Sequence, residues 1–298
     1  MKLKKETTFL FFFAIFQLCI CQNKLISKDG FISPDSESFE GNKPEANWIW
    51  DSGDPNPKNY YLHIRKNFRL NSPIKEAKAY VSAFSFAELY INGVYIDRIP
   101  TNPDPEYQTY EEIDISPYLK LGENTIAALV YNVGEGLHHR MNGKGGFFFQ
   151  SKITDSKEKI IKLNSDKSWL VAKAIAWENK TDHRQIDHTI GRREKFDARL
   201  EYDGWEQNHF NDSNWENATE IGVPPIDPWN KIVVINRERT FFKIITPKRK
   251  WSINGLHIYD FGKAITAYPR FVANAKESGL TIEIGTAETL GKDSIPLM

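Results

Sequence analysis

Cysteine is nearly missing from this chain: its 298 residues hold 2, Cys19 and Cys21, both close to the N-terminus. Cleavage after Cys21 would leave none, which excludes a disulfide framework, a thiol nucleophile and Cys-ligated zinc from the mature protein. Charge excess is missing too. Lys and Arg total 39, as do Asp and Glu. There is no basic stripe and no RNA-binding aromatic motif, so nucleic acid is an unfavoured partner. Long helical periodicity is almost nowhere seen. No G-x-x-x-x-G-K-[ST] is present and no helix pattern follows, so the glycine-rich stretch from Gly134 to Gly146 is only a weak signal for a phosphate cradle. Its glycines are expected to serve turns. Asp182-His183 and Asp187-His188 fit none of the usual zinc spacings and read as surface or active-edge histidines.

The longest apolar run lies at the start. Lys2, Lys4 and Lys5 precede Leu10-Phe11-Phe12-Phe13-Ala14-Ile15-Phe16, the pattern of a secretory signal covering residues 1–21. The run is too short to span a bilayer comfortably, so no transmembrane segment is expected. Lipidation of Cys21 fits less well, because Ile20 stands where a small residue is wanted. The mature chain is expected to be periplasmic or secreted and to begin at Gln22.

Aromatics are abundant at 13%, which suits a sandwich core or a sugar-binding surface equally. After a polar lead-in over 22–44, short alternating segments separated by Gly, Pro and Asn argue for an all-β fold. Trp48-Ile49-Trp50 starts the first domain, and strands are expected at Tyr60–Leu70, Ala77–Ala83, Thr125–Val133, Phe147–Gln150, Lys159–Leu163, Trp169–Trp177, Ile232–Ile235 and Phe241–Ile245, then at Ile258–Gly262 and Leu280–Ile284. The strongest local signal is Asn92-Gly93. Both residues tolerate the positive φ of a type I′ turn. That turn would pair Ile91 with Val94, Tyr90 with Tyr95, Leu89 with Ile96 and Glu88 with Asp97. One hairpin face is then wholly apolar, and the other carries Tyr90, Tyr95, Glu88 and Asp97.

Two tyrosines and two carboxylates suit a carbohydrate, though a Tyr–Tyr cross-strand pair is also ordinary sheet chemistry. The next loop, Ile99 to Glu112, contains Pro100, Pro103 and Pro105 and is expected to exclude a central strand. Its Asn102, Asp104 and Glu106 could ligate Ca²⁺, which takes oxygen donors, or simply form turns. Tyr90, Tyr95, Asn102, Asp104 and Glu106 are therefore the candidate carbohydrate-binding residues. Further on, Trp205, Phe210 and Trp215 are expected to pin a compact loop, with Asp212 and Ser213 as turn or cap residues.

The motifs together carry a resemblance. "FDARLEYDGW" from Phe196, then "FNDSNWENA" from Phe210, resembles the signature of bacterial α-L-rhamnosidases, glycoside hydrolase family 78. "YDFGKAITAYPRF" from Tyr259 and "LTIEIGTAETL" from Leu280 are similar to the start of that family's next sandwich. The Gly134–Arg140 stretch departs from the family's Gly-Trp-Tyr-Arg-Gly-like pattern. The resemblance implies a jelly-roll-like β-sandwich over 45–245 and an incomplete second sandwich over 246–298. It also implies an (α/α)₆ catalytic barrel downstream, where one acid protonates the leaving oxygen and one base activates water. No stretch here resembles that catalytic segment, so no catalytic residue is named.

The expected function is the non-catalytic N-terminal portion of an exported α-L-rhamnosidase-like hydrolase, with a rhamnose-containing carbohydrate and the catalytic barrel of the same polypeptide as partners. A stand-alone carbohydrate-binding sandwich protein and a purely structural module are the alternatives. Met298 follows soon after the second sandwich begins, which suggests the front part of a longer polypeptide.

Overall fold

The computed structural model describes residues 43–99, 107–137, 141–182, 192–234, 243–272, 282–291 and 295. The chain divides into two units, 1–236 and 237–298. The candidate signal over 1–21 and both cysteines lie outside the described residues.

In the first unit the strands are β1 (Trp48–Trp50), β2 (Tyr60–Leu70), β3 (Ile74–Ala83), β4 (Phe86–Ile91), β5 (Val94–Ile99), β6 (Tyr107–Asp114), β7 (Gly122–Asn132), β8 (Phe147–Asp155), β9 (Ile160–Asn164), β10 (Leu170–Lys173), β11 (Glu216–Asn217), β12 (Thr219–Gly222) and β13 (Lys231–Val234). They form two sheets. One runs β12-β1-β8-β3-β6-β13, with β9 also on β8; the other runs β11-β10-β2-β7-β4-β5. Pairing is antiparallel except between β13 and β6.

The two sheets share one apolar core. Leu62 and Ile64 of β2, Leu89 and Ile91 of β4, and Ile126, Ala128 and Val130 of β7 meet Ala79 and Val81 of β3 and Phe147, Phe149 and Ile153 of β8. Side chains alternate along a strand, so every second residue goes to the core and the rest to an outer face. Both outer faces are covered as well. Trp229, in the proline-rich stretch before β13, stacks on Trp48 at 4.1 Å over the first sheet, with Tyr80, Phe84, Tyr110 and Phe148 around it. Trp177, Tyr202, Trp205, Phe210 and Trp215 pack over the second sheet. The aromatic richness of the described residues therefore serves three packing layers rather than one.

Several expectations change. The strand after the proline loop begins at Tyr107, not beyond Glu112, and lies inside its sheet between β3 and β13. The prolines all precede it, so no ladder N–H is lost. The Asn92-Gly93 turn has φ of 52° and 82°, as the turn type demands. Its strands keep Ile91↔Val94 and Tyr90↔Tyr95, but then Leu89 faces Asp97 and Glu88 faces Arg98. Ile96 is the extra residue of a bulge. Strand β5 ends the sheet's order, and edges are where bulges are tolerated. Val94, assigned to the apolar face, is 49% exposed.

The glycines near Phe147 permit close approach rather than turning. A Cβ on Gly145 would lie 2.2 Å from the Trp50 ring, and one on Gly146 2.6 Å from Trp229. The expected strand over Trp169–Trp177 stops at Lys173. The next residues leave the ladder to start crossing the outer face, with the Ala174 N–H donating to Tyr61.

In the second unit, β14 (Arg249–Ile253) and β15 (Leu256–Asp260) form a hairpin. Its turn is a second Asn-Gly pair, Asn254-Gly255, with φ of 50° and 79°. That signal stood in the sequence as plainly as the first. Residues 243–245 and 282–284, expected in strands, are irregular. Alternation alone does not make a strand without a ladder partner. Among the described residues, no helix is long and apolar enough to cross a membrane.

Candidate functional site

Strand β2 places Tyr61, His63, Arg65 and Asn67 on the outer face of the second sheet, between Leu62, Ile64 and Lys66, by simple alternation. Strand β7 brings Ala127, Leu129 and Tyr131 to the same face, and β4 brings Tyr90. The segment carrying the signature motif covers these groups. Trp205 lies 4.2 Å from the His63 ring and 5.3 Å from Tyr90, centroid to centroid. Trp177 stacks on Tyr61 at 4.4 Å.

Two polar pairs lock this cover. His63 is fully buried, with Nε2 3.0 Å from Oε1 of Glu201. Burial by itself would raise the Glu201 pKa. The contact with His63, its charge and the Tyr202 amide together outweigh burial and hold the carboxyl below its ordinary value. Arg65, also fully buried, has Nε 2.9 Å from Oδ2 of Asp212. Its remaining donors reach the carbonyls of Trp205 and Gln207 and Oδ1 of Asn67. Burial lowers the Arg65 pKa, and Asp212 opposes that shift. Phe210 closes the guanidinium from one side at 5.1 Å.

Asp212 is thus more than a turn residue. It is the counter-ion of a buried arginine, and it also accepts from Nδ2 of Asn67. Nothing in the sequence spacing joins positions 65 and 212. Asp197 of the Asp-Ala-Arg triplet is paired locally with Arg199, whose side-chain and backbone hydrogen bonds pull its pKa to about 2.

Among the candidate sugar ligands, the structure brings together Tyr90 and Tyr95. Their rings form an edge-to-face pair at 5.5 Å. Tyr90 is largely spoken for: Trp205 covers it, its hydroxyl donates to Glu88 at 3.1 Å, and burial raises its pKa. Tyr95 stays 43% exposed. The register shift turns Asp97 away from Glu88. Asn102, Asp104 and Glu106 lie outside the described residues, as do His183, Asp187 and His188. Among the described residues no group of three or more His, Cys, Asp or Glu could hold a metal ion.

A cleft of about 620 Å³, which the sequence did not signal, opens beside the start of β2. Asp54, Lys58 and Tyr60 line one side, with Asn179, Asp182 and Arg192 across from them.

Residues 72–236 match the family model described as alpha-L-rhamnosidase N-terminal domain. An alpha-L-rhamnosidase of Formosa agariphila is 25% identical over 240 residues, 78% of this chain and 25% of its own length. One from Streptomyces avermitilis is 23% identical over 248 residues, 77% of this chain and 22% of its own. The solved GH78 family rhamnosidase of Bacillus sp. GL1 is 27% identical with a TM-score of 0.57, over 65% of this chain and 20% of that one. The alpha-L-rhamnosidase from Dictyoglumus thermophilum is 26% identical with a TM-score of 0.57, over 74% and 25%. The chain spans about a quarter of the length of the curated relatives it matches.

Proposed function

The chain belongs to the alpha-L-rhamnosidase N-terminal domain family, and from that premise we propose that it is the non-catalytic sandwich portion of an exported α-L-rhamnosidase-like glycoside hydrolase. The parent enzyme would remove terminal α-L-rhamnose by an inverting mechanism, with its acid and base on a catalytic barrel outside this sequence. One observation carries the non-catalytic reading. Within the signature segment Asp212 is engaged by the buried Arg65, Glu201 by the buried His63 and Asp197 by Arg199. A general acid or base needs a carboxyl that is open to substrate.

The test is direct. The purified 298-residue chain is expected not to turn over 4-nitrophenyl α-L-rhamnoside; turnover by pure protein overturns the reading. Export rests on the pattern at 1–21. Protein recovered from the periplasm or medium should begin at Gln22, and a retained Met1 would remove that part. Tyr95, with Asn102, Asp104 and Glu106 and a Ca²⁺ ion they would hold through oxygen, is the proposed sugar-facing edge. Rhamnose titration with and without Ca²⁺, repeated on Tyr95→Ala, tests it.

A further inference from the structure

We propose that the cleft between the Asp54–Tyr60 turn and the Asn179–Asp182 stretch is a saccharide subsite that takes a neutral sugar unit. The inference rests on the glycan-contacting reading and adds a second contact on a different surface.

Its two walls are built to hold a fixed shape. Asn59 is 2% exposed and has φ of 47°, in the left-handed region that Asn tolerates. Its Nδ2 donates across the floor to the carbonyl of Asn179 at 3.2 Å and to Oγ1 of Thr181 at 3.1 Å. Its Oδ1 accepts from the Tyr131 hydroxyl at 3.0 Å. One buried side chain therefore ties both walls to β7. Asn132 Nδ2 donates to the Pro57 carbonyl at 2.9 Å. Gly134 comes so near that a Cβ would sit 2.2 Å from the Pro57 oxygen. On the far wall, Arg192 donates to the Thr181 carbonyl at 2.7 Å and pairs with Glu135 through two nitrogens. Site geometry held this way needs little ordering when a ligand arrives.

The groups left over define the ligand. Lys58 and Lys180 make no ion pair among the described residues. Asp54 and Asp182 face the same space, and Asn179 and Tyr60 complete the lining. Tyr60 is steadied by its hydroxyl, which donates to Asp51 at 2.6 Å. A sugar hydroxyl both gives and takes a hydrogen bond, and this lining offers ammonium donors beside carboxylate acceptors. Two lysines against two aspartates leave no charge excess, and the charge of Arg192 is met by Glu135. An anionic ligand would meet as much repulsion as attraction. The volume, about 620 Å³, lies within the range of small-ligand clefts.

The experiment is calorimetric titration of the full chain with methyl α-L-rhamnoside, methyl α-D-galactoside and methyl α-D-galacturonate. We expect a neutral glycoside to bind, the galacturonate to bind at least tenfold more weakly than the matched galactoside, and Asp54→Ala with Lys180→Ala to weaken binding at least tenfold. Asp54 and Lys180 are both at the surface, so an unaltered thermal midpoint certifies the fold. Binding lost in Tyr95→Ala and kept in the cleft variant overturns the placement while the glycan reading stands. Equal or tighter binding of galacturonate overturns the neutral preference. No binding by any glycoside overturns the subsite, and the rhamnosidase-portion reading is then judged on the turnover assay alone.

Discussion

Arg65 and Asp212 stand 147 positions apart in the chain by their numbers, yet the guanidinium Nε meets the carboxylate at 2.9 Å beneath the aromatic cover of the second sheet. The pair fastens the signature segment to β2. Removing one partner of a buried pair leaves an uncompensated charge, a far larger cost than the net worth of the pair itself. Asp212→Ala should destabilise the protein by about 3 kcal/mol. Asp212→Asn, which keeps an acceptor, should cost less. Urea unfolding of both variants checks the order; equal stabilities would show that the arginine is satisfied by the Trp205 and Gln207 carbonyls alone.

Acid should loosen the same cover through Glu201. Its pKa in the folded state is held below the ordinary value of about 4.3. Stability from this group is therefore fully present above pH about 4.3 and is lost as pH falls through the lowered folded value. The sign follows from the unfolded state binding the proton first. Glu201→Gln should flatten the fall in unfolding free energy below that pH. Trp205, against the His63 ring, gives a fluorescence signal for it. An unchanged acid limb in the variant would remove Glu201 from the account.

Asn92→Gly separates turn chemistry from tertiary bonding. Glycine suits the φ of 52° at this position, so the turn alone predicts no loss. The Asn92 amide, however, donates to the Tyr118 carbonyl at 2.8 Å and to Oδ1 of Asn124 at 2.9 Å, and its Oδ1 accepts from the Thr125 N–H at 2.9 Å. At about 1 kcal/mol per net hydrogen bond, the substitution should cost about 1–3 kcal/mol. A thermal midpoint equal to the wild type would mean that the turn preference dominates.

Gly145→Ala tests the close approach to Trp50. The added methyl would meet a ring that is 2% exposed and hemmed in by the core. Overpacking of this kind costs about 1–3 kcal/mol. Denaturant unfolding should show that loss, whereas Gly136→Ala, which meets nothing within 4 Å, should be near neutral.

Local chemistry was legible in the chain from the start. The Asn92-Gly93 turn, the alternation of β2 and the continuous apolar run of β7 each depend on neighbours within a few residues, and each forms where those residues ask for it. The order of motifs was enough to point to the family, and Trp205, Phe210 and Trp215 do pin one loop. What the sequence could not hold is anything settled by partners far along the chain. The bulge at Ile96 depends on β5 being the last strand in its sheet, and the end of the proline loop at Tyr107 depends on β3 and β13 flanking that strand. The roles of His63, Arg65 and Asp212 exist only because one sheet face is covered by a segment more than a hundred residues away. Asn59 carries no signal in the sequence, and tertiary contact makes it the clamp of a cleft. A hydrogen-bond donor buried by a distant segment must find its acceptor there, and only the folded chain decides which one it meets.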